Sequence, residues 1–202
     1  MKRKIAFAAA LLAVAFTITG CGSMSSSAGW TTLIDGTTGM DNFTVSGSSA
    51  NWRAADGAIQ ADKLNSGTGA SVLITKKNYR DMDIYAEFWA SDDTNSGIYV
   101  RAPDPANVNT ASGAYEIQIW DKNPAQQYST GSLVNVAAVN PIYKAGGRWN
   151  TLELHVQGSE ISIKLNGVAT ASTQSAKTHE GRIGIQFNAG PIKVRKLQVR
   201  EL

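Results

Sequence analysis

The chain of 202 residues holds one cysteine, two histidines and five prolines. One cysteine, Cys21, cannot make an intramolecular disulfide, so a folded domain must rest on its apolar core. Two histidines argue against a histidine-rich metal site. His155 lies on an alternating stretch and reads as a surface residue, and His179 falls in the turn Lys177-Thr178-His179-Glu180-Gly181. There is no G-x-S-x-G elbow, no phosphate-cradling P-loop, no G-x-G-x-x-G opening a helix and no H-E-x-x-H pair. These gaps remove the common nucleophile-elbow hydrolases, nucleotide-binding folds and zinc peptidases. After residue 29 no amphipathic helix is legible, and no repeat of propeller length appears. No cofactor is indicated, and a divalent metal stays open.

The chain does contain an apolar run at its start. Lys2, Arg3 and Lys4 precede the stretch Ile5 to Ile18, and small residues follow. That order reads as a secretory signal over residues 1–20, shorter than a spanning helix of roughly 20 apolar residues. Ile18-Thr19-Gly20-Cys21 resembles a bacterial lipobox, which makes Cys21 the expected lipidation site. Two or three acyl chains give a stable anchor. Residues 21–28 are small and polar, as in a flexible tether. Anchoring implies a place in the cell envelope, and Gly22 after Cys21 favours the outer membrane by resemblance to known sorting. The full chain has 19 basic and 16 acidic residues. Lys2, Arg3 and Lys4 leave with the signal, so the mature chain is 16 against 16. A neutral domain lacks the clustered positive field that nucleic acids require.

From residue 29 to 202 the period is two. Asp83 to Ala90, Thr151 to Val156, Glu160 to Leu165, Arg182 to Asn188 and Ile192 to Val199 each alternate apolar and polar residues. Such alternation marks half-buried antiparallel strands. Gln157-Gly158-Ser159 reads as a hairpin, and Asp35-Gly36, Asp56-Gly57, Gly146-Gly147 and Asn166-Gly167 as turns. Many short strands with turn punctuation predict an all-β sandwich or barrel in one domain. Two long polar loops, 102–113 and 122–132, flank the strand Tyr115 to Trp120 and suggest a binding rim.

The faces opposite the apolar residues carry a distinctive set. They show Asp83, Tyr85, Glu87 and Trp89 on one strand and Tyr99 and Arg101 on the next. Glu116, Gln118 and Trp120 follow, and then Gln186 and Asn188. If these four strands share one sheet face, it offers aromatic rings beside amides, carboxylates and a guanidinium. Sugars present apolar C–H faces to such rings and hydroxyls to such forked polar groups. The competing reading is a solvated face with cross-strand pairs such as Arg101–Glu116. Acid–base chemistry falls to carboxylates, with Glu87, Glu116 and Asp121 leading.

These residues resemble the 3-keto-disaccharide hydrolase domains. The likeness runs in order through Gly29-Trp30-Thr31-Thr32-Leu33-Ile34-Asp35-Gly36, Trp52-Arg53-Ala54-Ala55-Asp56-Gly57-Ala58-Ile59 and Tyr79-Arg80-Asp81-Met82-Asp83-Ile84-Tyr85-Ala86-Glu87-Phe88. It continues through Asn95-Ser96-Gly97-Ile98-Tyr99-Val100-Arg101, Tyr115-Glu116-Ile117-Gln118-Ile119-Trp120-Asp121, Trp149-Asn150-Thr151, Leu165-Asn166-Gly167-Val168 and Gly181 to Gln186, and ends on Val194 to Leu202. It spans residues 29–202. It implies a concanavalin-like jelly-roll sandwich of two antiparallel sheets, and cleavage of 3-keto-glycosides by elimination and water addition.

By the same resemblance, Asn95, Arg101, Glu116, Gln118, Asp121 and Gln186 occupy motif positions. Glu116 is expected as acid or base, Arg101 as carboxylate orienter or oxyanion clamp, and Asp121 as a further catalytic carboxylate at the strand end or in a loop. Gln118 and Gln186 are expected to read hydroxyls, with Asn95, Asn188, Glu87, Trp89, Tyr99 and Trp120 contacting the sugar. One departure stands out. Asn188 sits where the family often places a histidine, and Asn cannot shuttle a proton near neutral pH. A carbohydrate ligand is therefore expected, handled by a lipid-anchored enzyme or, alternatively, by a non-catalytic lectin-like lipoprotein. A structural envelope protein is a third reading.

Overall fold

The computed structural model describes residues 29–175 and 177–202. The expected signal at 1–20, the expected lipidation site Cys21 and the expected tether at 21–28 lie outside the described residues. Within the described part, thirteen strands run in chain order as β1 (Thr31–Asp35), β2 (Phe43–Ala50), β3 (Arg53–Ala55), β4 (Ala58–Ala61), β5 (Leu64–Thr75), β6 (Met82–Ala90) and β7 (Asn95–Ala102), then β8 (Tyr115–Ile119), β9 (Arg148–Gln157), β10 (Glu160–Leu165), β11 (Val168–Gln174), β12 (Arg182–Ala189) and β13 (Ile192–Glu201). Two antiparallel sheets result, in a jelly-roll arrangement. The eight-stranded sheet is ordered β11-β10-β9-β6-β13-β4-β3, with β1 also on β13. The five-stranded sheet is ordered β2-β5-β12-β7-β8.

Alternation decides what goes inside. Ile84, Ala86 and Phe88 of β6, Leu152, Leu154 and Val156 of β9, and Ile161, Ile163 and Leu165 of β10 face the core from the large sheet. Ile98 and Val100 of β7, Tyr115, Ile117 and Ile119 of β8, and Ile183, Ile185 and Phe187 of β12 meet them from the small sheet. Their partners in sequence therefore point outward, from the outer face of whichever sheet holds the strand.

Turns fix the pairings. β9 and β10 pair from Gln157 with Glu160, around Gly158 at φ 55°. Asn166 and Gly167, at φ 51° and 78°, join β10 to β11, the positive-φ pair a two-residue hairpin demands.

The sheet order corrects one expectation. β6 belongs to the large sheet, whereas β7, β8 and β12 are neighbours in the small one. Glu87 and Trp89 thus lie across the sandwich from Tyr99, Glu116, Gln118 and Gln186, and the four strands do not form one face. Alternation tells inward from outward, but both sheets have an outward side.

Candidate functional site

The small sheet's outer face is organised by register. Gly97 of β7 lies between Gln186 of β12 and Gln118 of β8. One row along, Tyr99 lies between Gly184 and Glu116. A Cβ at Gly97 would stand 3.0 Å from Glu116 Oε1 and 3.1 Å from Glu116 Cγ. The missing side chain is what lets three polar groups converge. Gln186 Nε2 donates to Tyr99 Oη at 2.7 Å and to Glu116 Oε1 at 2.9 Å. Gln186 Oε1 meets no donor among the described residues.

All three side chains are nearly out of solvent; Glu116 is 7% exposed. Burial pushes the Glu116 carboxyl above its usual range, against hydrogen bonds from Tyr99 and Gln186 that favour the carboxylate. The Tyr99 hydroxyl is raised by burial and by Glu116, so it stays protonated.

Beside Tyr99 lies a cavity of about 280 Å³, lined also by Ser46, Val72, Asn107, Val108 and Asn109. Its roof is the loop predicted as a rim. Val108 packs with Val72, Ile74 and Tyr99 in a small apolar cluster on this outer face. Lys177 Nζ holds the roof through Thr110 O, and Thr178 Oγ1 holds it through Gly113 O at 3.0 Å. On the far side, Gly131 N donates to Gln118 O and Gln118 N to Ser132 O, so the loop after β8 straps its edge.

Other candidates sit elsewhere. Arg101 is expected beside Tyr99, and the structure corrects this. Between Tyr99 and Ala102, β7 has one residue more than β12, and Arg101 at φ 51° absorbs it as a bulge. The side chain turns away into the end of the sandwich and is fully buried. There it donates to Arg80 O at 3.0 Å, Gly158 O at 2.7 Å, Thr178 O at 3.2 Å and Asp81 Oδ1 at 2.8 Å. It neither clamps an oxyanion nor orients Glu116.

Asp121 lies two residues past β8, as its alternation predicts. Its Oδ1 accepts from Thr130 Oγ1 at 2.5 Å and its Oδ2 from Gly146 N at 2.8 Å. Both oxygens are occupied in tying loops together. Gln118 Oε1 accepts from Ile119 N at 3.1 Å, turned to its own strand. Asn95 opens β7 half-buried, Asn188 is exposed, and Trp120 is half-buried just beyond β8. On the other sheet, Lys193 Nζ stands 5.6 Å from the Trp89 ring centroid. Burial raises the Glu87 carboxyl, but hydrogen bonds from Arg195 and Tyr85 outweigh it and hold it below its usual range.

Sequence reasoning missed Gly97, Gly184 and Val108. The first two are residues without side chains whose value lies in what their neighbours reach across. Among the described residues, no group of three His, Cys, Asp or Glu side chains is placed to hold a metal ion.

The model of the 3-keto-α-glucoside-1,2-lyase-like domain matches residues 29–200. The chain belongs to this family. Among solved structures, two candidate glycosyl hydrolases from Parabacteroides distasonis share the fold. One superposes with a TM-score of 0.73 at 15% identity, covering 86% of this chain and 94% of the other. The second gives 0.69 at 21% identity, covering 86% and 99%. A protein of galectin-like fold from Bacillus subtilis gives 0.61 at 10% identity, covering 81% and 90%. No curated protein is similar enough in sequence to count as a relative. For the 3-keto-α-glucoside-1,2-lyase-like domain of this chain, the neighbours thus describe the architecture, and the family match spans the strands that carry Tyr99, Glu116 and Gln186.

Proposed function

We propose that the protein is a glycoside-cleaving enzyme that acts on 3-keto-glycosides through Glu116, at the outer face of the small sheet. The observation that carries this reading is the hydrogen-bonded group Tyr99–Gln186–Glu116, in which burial raises the carboxyl above its usual range. A general base works best when its pKa lies near the operating pH. The family description supports the substrate class.

The chemistry follows from the ketone at C3, which acidifies the C2–H. The Glu116 carboxylate takes that proton, and the electron pair moves onto the C3 oxygen as an enolate. The protonated Tyr99 hydroxyl donates to that oxygen. When the carbonyl re-forms, the C1–O bond breaks with its electrons, and the departing alkoxide takes a proton from Glu116 or water. Water then adds at C1 and a proton returns to C2, which completes a net hydrolysis. Gln186 Oε1 accepts from a substrate hydroxyl. Lipid on Cys21 would place this chemistry in the cell envelope, on the outer membrane, where glycosides are met before uptake.

Asn188 favours a second reading, a carbohydrate-binding protein without turnover, because an amide there moves no proton. Incubation with a 3-keto-disaccharide and its unoxidised parent separates the two. Selective cleavage of the keto sugar supports the enzyme. Binding of both sugars with no product establishes the binder.

A further inference from the structure

We infer that the outer face of the large sheet carries a second ligand site, for a saccharide bearing an anionic group. It stands on observations independent of the Glu116 chemistry, across the sandwich from it. A groove of about 590 Å³ crosses β10, β9, β6 and β13, walled at one end by Trp30. That volume falls within the roughly 300–1,000 Å³ of ordinary ligand pockets.

Register builds its floor. Ser162, His155, Asp83 and Arg200 form one row across four strands, and Lys164, Glu153, Tyr85 and Gln198 form the next. Lys196 follows, opposite Glu87. Three interstrand steps make the row roughly 14 Å wide.

Two of the three floor carboxylates, Asp83 and Glu87, are already satisfied. Asp83 Oδ1 meets His155 Nδ1 at 2.7 Å, and its Oδ2 accepts from Arg200 Nε at 3.1 Å. Glu87 Oε1 accepts from Tyr85 Oη at 3.0 Å, and its Oε2 accepts from Arg195. What remains open toward the groove is rich in donors. Lys164 and Lys196 form no ion pair among the described residues, against one free carboxylate, Glu153. The second nitrogen of His155 and the Ser162 hydroxyl add two more polar groups without a partner among the described residues. Arg200 stacks 5.1 Å from the Trp30 ring centroid.

A donor excess asks for an acceptor-rich ligand. The rings of Tyr85 and Trp30 ask for one with apolar C–H faces. A sugar carrying a carboxylate or a phosphate meets both demands.

The test is calorimetric titration of the protein with trigalacturonate, with glucose 6-phosphate and with neutral galactotriose. The expected result is at least tenfold tighter binding of one or both anions than of the neutral trisaccharide, and the two anion arms tell carboxylate from phosphate. The double substitution of exposed Lys164→Gln with half-buried Lys196→Gln is expected to weaken that binding at least tenfold. Glu116→Gln leaves it in place. Equal affinity for galactotriose, unchanged binding in the double lysine variant, or no binding of either anion at millimolar concentration would overturn the inference. Loss of keto-sugar turnover alone would leave it standing.

Discussion

At Glu116, burial and hydrogen bonding act in opposite directions, and burial dominates. Its folded-state pKa lies above the unfolded value of about 4.3. The native state therefore holds the proton longer than the unfolded chain does. The resulting stability is fully present below that unfolded value and is lost as pH rises through the raised folded one. Above the unfolded value the raised pKa of Glu116 opposes folding, and a neutral amide carries no such penalty, so the melting temperature of Glu116→Gln should exceed that of the unaltered protein at pH 7. The gap should close by pH 4. A gap that is absent, or equal at both pH values, would show that Glu116 is not held in this way.

Arg101 behaves oppositely. Its guanidinium serves three carbonyls and Asp81 at the sandwich end, so Arg101→Ala should cost on the order of 3 kcal/mol in urea unfolding. The folded fraction should keep its kcat and KM for the keto sugar. Unaltered stability with a collapsed kcat would return Arg101 to the chemistry. Its position beside Tyr99 was the natural reading of alternation, and the bulge that removes it leaves no mark in residue types.

Among elements, strands with a continuous apolar face were the legible ones. The run Glu160 to Leu165 coincides with β10, and the runs in β6, β9, β12 and β13 differ from their strands only at the ends. β2 and β5 were not legible. Ser46-Gly47-Ser48-Ser49 and Ser66-Gly67-Thr68-Gly69 have no apolar side to detect, and their pairing with each other holds them in place. Sheet membership was equally hidden, which is why Glu87 and Trp89 were grouped with Glu116.

The site depends on β7 in a way that can be checked. At Gly97 even a methyl group would press on Glu116 Oε1 and on Ile117 O, each 3.0 Å away. Gly97→Ala should therefore lower kcat for the keto sugar by tenfold or more, while circular dichroism keeps the β signature. Full activity in this variant would mean that the placement of Glu116 matters little.

At the scale of the whole molecule, the sandwich offers two outward faces with different chemistry: a buried carboxylate, with a roofed cavity beside its neighbour Tyr99, on the small sheet and an open groove with two lysines on the large one. Trp30, at that groove's end, comes two residues after the segment 21–28, the proposed tether. Cys21→Ser should release the protein from the membrane fraction into the soluble fraction without altering turnover. Retention in membranes would contradict lipidation at Cys21.

The proposed reaction is tested most directly by following C2 of a 3-keto-disaccharide during cleavage in deuterated water, for the unaltered protein and for Glu116→Gln. Glu116 as base predicts deuterium at C2 of the released keto sugar and a slower rate with C2-deuterated substrate. It also predicts a loss of roughly 10²–10⁴-fold in Glu116→Gln with binding retained. Cleavage without exchange at C2, or at an unaltered rate in Glu116→Gln, would contradict it.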